Sequence, residues 1–186
     1  GVLVRDLLQH RGSSLIIAGE QQPPVVHALA HAINAALNNS GKTVVYTEPV
    51  EAEPVDEIAS VAELVQAMNA GAVDTLIITE GNPVYTAPAD LRFAEALKKV
   101  RLRVHRSLFY NETSALCHWH VPATHYLESW SDTRAYDGTV TIVQPLIAPL
   151  YAGKTGHELL AAFSQAPERS SYEIVRGYWR TRFGKS

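Results

Sequence analysis

The chain has 186 residues, 46% of them hydrophobic and 19% charged, with a formal net charge of −3. That length allows one domain with a sizeable core, and the composition excludes a disordered chain. The charge gives no field suited to nucleic acid, no apolar run reaches the roughly 18–20 residues of a bilayer span, and the lone cysteine, Cys117, excludes an internal disulfide and a four-thiolate iron–sulfur cluster.

The chain opens on Gly1 rather than methionine and enters its first expected strand quickly, so the expectation is a piece of a longer protein. Residues 14–19, "SLIIAG", read as a buried strand. Val26, Leu29, Ala30, Ile33 and Leu37 then recur at helical spacing, with Pro24 in the first turn and Gly41 past the end. "KTVVYTEP" reads as a second strand, and the acidic segment 50–58 as a loop. A helix is predicted over residues 60–70, capped by Ser60 with Glu63 and stopped by Gly71. "VDTLIITEGNP" is a third strand, "APADLRFAEALKKV" a helix, "RLRVHRSLFY" a fourth strand and "ALCHWHVP" a fifth. This alternation predicts an α/β, doubly wound, mostly parallel sheet with helices on both faces. Beyond residue 125 the rhythm changes. Asp137–Gly138 marks a hairpin turn in an extended C-terminal segment, and residues 155–163 suit a short helix. The expected division is an α/β domain over residues 1–165 and a connector over 166–186. The aromatic, basic tail carries Arg176, Arg180, Arg182 and Lys185.

The first strand–helix turn, "GEQQPP", has one glycine where a dinucleotide turn wants three, and Pro23 and Pro24 lack N–H groups for phosphate. The turn Gly81-Asn82-Pro83 follows a buried strand, at the edge where open α/β sheets bind ligands. His27 and His31 lie four apart on a polar helix stripe and read as surface residues. Lys98, Lys99, Arg101 and Arg103 read as a charged helix end and its loop. In "CHWHVPATH" the strand period sends Cys117, Trp119 and Val121 to one face, and His118 and His120 to the other. His118, His120 and His125 are therefore weak metal candidates, against a packed Cys–Trp face. No nucleophile–base pair stands out. Ser114 lies near His118 but on no Gly-x-Ser-x-Gly elbow.

The stretches "GNPVYTAPADL", "ETSALCHWHVPATHYLESW" and "YDGTVTIVQPLI" resemble the molybdopterin-oxidoreductase-like part of the large iron–sulfur subunit of bacterial alternative complex III, also described as an iron–sulfur-containing hydrogenase. The resemblance covers roughly residues 15–160. By this resemblance Gly81, Asn82, Glu112, Thr113 and Glu128 would line a vestigial cleft for the pterin guanine dinucleotide. It implies no catalytic residue here, no cofactor in this piece, a lost molybdopterin guanine dinucleotide, and iron–sulfur clusters in another region of the parent. The implied role is a non-catalytic scaffold in a quinol-oxidising respiratory complex. The implied partners are other domains of the parent and the membrane quinol-oxidising and cytochrome c subunits. The implied location is the periplasmic face of the inner membrane after Tat export. Two readings compete with it: the cofactor-cleft domain of an active molybdopterin oxidoreductase, and a small metal-binding module at His118 and His120. The crevice beside Asn82 is expected to be filled, with Trp119 or His118 among the occupants.

Overall fold

A computed structural model describes residues 1–19, 21–51 and 53–184. Lys185 of the basic tail, Glu20 of the first turn and Ala52 of the acidic loop lie outside the described residues. The chain divides into two units, residues 1–50 with 136–138, and residues 51–135 with 139–186.

The first unit holds two helices, α1 (Val2–Gln9) and α2 (Pro24–Ala36). Helix α1 lies ahead of the first expected strand, in a stretch for which no element was predicted. Pro24 begins α2 as predicted, but the left-handed residue that ends it is Asn38, not Gly41. Of the apolar stripe, Ala30 and Leu37 are buried, while Leu29 and Ile33 are exposed. The two strands expected here do not form. Residues 14–18 alternate between half-buried and exposed, as a strand would. Their hydrogen bonds, however, go to side chains. The Asn34 amide donates to Ile16 O at 2.7 Å and accepts from Ile16 N at 3.0 Å, mimicking a neighbouring strand. The second expected strand is consumed at its start by a turn, where Thr43 N and Val44 N both donate to Asn39 O and Gly41 N donates to Val44 O. Only an isolated Ser40–Val44 bridge results.

In the second unit, α3 (Glu57–Asn69) begins a turn earlier than Ser60. Asp56 is the cap, its carboxylate accepting from Ala59 N at 2.9 Å, because three more residues fit the helix before the apolar stripe starts. Gly71 stops the helix at φ +70°, as predicted. Strand β1 (Thr75–Ile78) leads through α4 (Pro83–Thr86), a 3₁₀ turn (Ala89–Leu91) and α5 (Phe93–Leu97) to β2 (Leu102–Ser107). The helix predicted over 87–100 is thus split, at Arg92, whose φ is +50°. Helix α6 (Glu112–Ala115) leads to β3 (Trp119–Pro122). These strands form a parallel sheet in the order β1-β2-β3. Helix-containing crossovers are what parallel neighbours require. Strands β4 (Ser131–Arg134) and β5 (Val140–Val143) form the expected antiparallel hairpin, closed by Ala135 N donating to Thr139 O. Helix α7 (Gly156–Ala161) matches the short helix expected there, and α8 (Ser171–Phe183) occupies the tail.

The core lies between α3, α5 and the sheet. Val61, Leu64, Val65 and Met68 form the helical stripe, packing with Phe93, Ala96, Leu97 and Val100, and with Leu76 and Ile78 from β1. No helix among the described residues is long and apolar enough to cross a membrane.

Candidate functional site: a hydrogen-bonded lock at the sheet edge

The carboxyl ends of β1 and β2 converge on the Gly-Asn-Pro turn. Gly81 turns the chain at φ +81°, a conformation glycine reaches without penalty. Pro83 starts α4, and Asn82 is its N-cap. An N-cap asparagine normally bonds its own helix. This one reaches across about 30 residues of chain instead. Its Nδ2 donates to Glu112 Oε2 at 2.7 Å, and its Oδ1 accepts from Thr113 Oγ1 at 2.7 Å and Thr113 N at 3.3 Å. The Thr113 hydroxyl also accepts from Val84 N at 3.1 Å. Asn111 caps α6, its Oδ1 accepting from Thr113 N and Ser114 N. The structure thus brings Gly81, Asn82, Glu112 and Thr113 together. The Asn82 amide holds the exposed Glu112 carboxyl below its usual range.

Behind this turn sits His105, with no exposed surface. Its Nε2 faces Gly81 O at 3.0 Å, and a carbonyl only accepts, so Nε2 carries the proton. Nδ1 then accepts from Ser114 Oγ at 2.8 Å, and that hydroxyl accepts from His120 Nδ1 at 3.1 Å. Burial pushes the His105 pKa down; the Gly81 carbonyl opposes this, and the nearby His120 and Arg106 add to it. The Tyr110 ring meets His120 edge-on at 5.5 Å. Ser114 is 1% exposed and fully engaged, so it has no path to a substrate.

Glu128 does not join this group. Its carboxylate accepts from His125 N at 2.9 Å and Leu150 N at 3.2 Å, tying two loops together. The expected occupants of the Asn82 crevice are also corrected. Trp119 is 66% exposed. It pairs with Val104 in register, whereas His120 pairs with His105, so it stands on the opposite face of the sheet. His118 sits at the amino end of β3, its Nδ1 accepting from Arg103 N at 3.1 Å. The Asn82 amide is bonded by Glu112 and Thr113 instead. Cys117 alone of the expected Cys–Trp pair packs on the core, and burial raises its thiol pKa.

The three candidate metal ligands have separate partners. His118 meets Arg103, His120 meets Ser114, and His125 accepts from Leu127 N at 3.3 Å. Among the described residues no group of three His, Cys, Asp or Glu side chains could hold a metal ion. The basic cluster has structural work: Arg103 donates to Leu116 O, Val100 O and Lys98 O, and Arg101 forms a bidentate pair with Asp74 at 2.7 Å.

Sequence reasoning missed His105 and Arg106, two polar residues near the end of a strand whose apolar residues are Leu102 and Val104. Arg106 is buried. Its guanidinium pairs with Glu80 at 2.6 Å and donates to Lys154 O at 3.2 Å, while its Nε has no partner among the described residues. It borders a crevice of about 390 Å³ together with Thr124, Ser129, Thr155 and His157. Their positions at the carboxyl end of an α/β sheet were the available signal.

No family model matches the chain. Among curated proteins, the molybdopterin-binding-like subunit of a menaquinone reductase from Nitratidesulfovibrio vulgaris is 30% identical over 105 residues. The match spans 54% of this chain and 15% of that subunit. It supports a molybdopterin-oxidoreductase-like relationship for this α/β chain.

Proposed function

We propose that this chain is a non-catalytic scaffold domain of the large iron–sulfur subunit of an alternative-complex-III-type respiratory complex, one that has lost its pterin. One observation carries this reading. Both ends of the Asn82 amide are taken by Glu112 and Thr113, and the Gly81 carbonyl is taken by His105. A pterin guanine dinucleotide carries a pyrophosphate, which needs free N–H donors or cations. The rim of the Asn82 turn presents a carboxylate held ionised, so its residues do not fit that group. The respiratory setting is supported by the similar protein being called a menaquinone reductase subunit.

In this reading the domain covers residues 1–165, and 166–186 connect to the next domain of the parent. The parent's iron–sulfur clusters lie elsewhere in its chain. The assembly sits on the periplasmic face of the inner membrane after Tat export, against quinol-oxidising and cytochrome c subunits. The test is elemental and nucleotide analysis of the purified full-length parent. We expect iron without stoichiometric molybdenum, and no guanine nucleotide released on denaturation. One molybdenum and guanine nucleotide per chain would establish the competing reading, an active molybdopterin oxidoreductase.

A further inference from the structure

Helix α8 and the β4–β5 hairpin enclose a second feature, on which the pterin question has no bearing. A groove of about 340 Å³ runs between them, walled by Trp130, Ile142, Val175, Trp179 and Phe183. Trp179 is fixed from behind, its Nε1 donating to Asp132 Oδ2 at 2.6 Å. Trp130 is fixed by an edge-on contact with Tyr172, centroids 5.0 Å apart. The Trp179 and Phe183 rings stack at 5.1 Å. The Trp130 and Trp179 rings are therefore held in place by neighbouring side chains. That lowers the entropy of docking.

Two cations flank these walls. Arg176 and Arg180 line the same groove, one helical turn apart, and both are exposed. Among the described residues neither is paired with a carboxylate. Arg176 packs over the Tyr172 ring at 5.8 Å, which holds its guanidinium at the rim. Asp132, behind Trp179, is spent on its indole N–H, and no acid is among the groove's lining residues. Tryptophan, tyrosine and arginine around one apolar slot is the composition that dominates binding energy at protein interfaces. The volume suits one or two large side chains rather than a folded surface. Two exposed arginines at the rim complement acids on an occupant of the slot.

We propose that this groove docks an acidic peptide segment of a partner protein, inserting a large apolar side chain against Trp130 and Trp179 while its carboxylates meet Arg176 and Arg180. Two of the three tryptophans line the groove, so their fluorescence reports occupancy. Trp119→Phe removes the third signal and leaves the groove untouched. The probe is a hexapeptide with Leu-Phe flanked by two acidic residues on each side. Two controls replace Leu-Phe with Gly-Gly or the acids with lysine.

Saturable fluorescence change is expected with the acidic Leu-Phe peptide alone, weakening as salt is raised. Arg176→Gln and Arg180→Gln should each weaken binding about two- to fivefold, the range for an exposed ion pair. Phe183→Ala, at a residue 77% exposed and so safe for folding, should weaken it as well. No saturable change, or equal binding of the Gly-Gly control, would overturn the proposal. So would binding indifferent to both arginines, or a response to vesicles of anionic phospholipid that matches the peptide's.

Discussion

At the residue scale the deciding group is His105. A histidine with no exposed surface must hold a defined tautomer, and the Gly81 carbonyl at 3.0 Å sets it as Nε2–H. Nitrogen NMR on ring-labelled protein should therefore show a neutral His105 protonated at Nε2 at pH 7. Burial also depresses its pKa in the folded state below the ordinary 6.5. The unfolded chain then takes up a proton first as pH falls. Stability from this residue is full above about 6.5 and declines below it, down to the depressed folded value. Urea midpoints should drop between pH 7.5 and pH 5.5, and His105→Gln should flatten that drop. An unchanged slope in the variant would mean that His105 is not the buried neutral group described. Gly81 offers a second test at this scale. A Cβ there meets nothing within 4 Å, so Gly81→Ala reads out backbone strain alone, about 1 kcal/mol of unfolding free energy at φ +81°.

At the element scale, stability rests on the stripe of α3 against α5. Met68 and Leu97 are 1% and 0% exposed within one cluster. Truncation of either to alanine removes contacts that the neighbours cannot refill, and should cost about 2–5 kcal/mol in chemical denaturation. Helix α8 depends on a different device, a capping box in which Ser170 and Glu173 satisfy each other's backbone N–H groups. Ser170→Ala should lower the thermal midpoint by an amount equivalent to about 1 kcal/mol. The elements also show what was legible beforehand. Leu102–Ser107 was recognisable by Leu102 and Val104 alternating with polar residues, and Thr75–Ile78 because apolar and β-branched residues cluster before a turn signal. Residues 14–18 carry the same pattern, yet Asn34 supplies the hydrogen bonds that a neighbouring strand would. A side-chain amide 18 residues away leaves no local mark. Helix α8 was missed for a related reason. Its apolar positions are aromatic and interleaved with arginines, so no clean stripe shows.

At the scale of the whole molecule, the Gly-Asn-Pro turn was legible as a place but not as an object. Its location at a strand's carboxyl end follows from α/β topology, and the pairing of Asn82 with Glu112 and Thr113 follows from two such strand ends lying side by side. Glu128 was grouped with them by sequence resemblance, whereas its carboxylate serves backbone amides of residues 125 and 150. That the Asn82 side chain is bonded to Glu112 and Thr113 depends on side-chain directions, which alternation alone did not give. Trp119 was the wrong occupant because it stands on the face opposite His120, and His118 because β3 begins only at Trp119, leaving it beside Arg103. The central claim is that Asn82 and Thr113 act as a lock. A double-mutant cycle measures it directly, with Asn82→Ala, Thr113→Val and the pair compared by urea unfolding of this chain. A lock of mutually satisfied groups, with Thr113 buried and Asn82 half-buried, predicts a coupling of about 1–2 kcal/mol. Single effects that simply add, within about 0.3 kcal/mol, would contradict it and leave Asn82 free to serve a ligand.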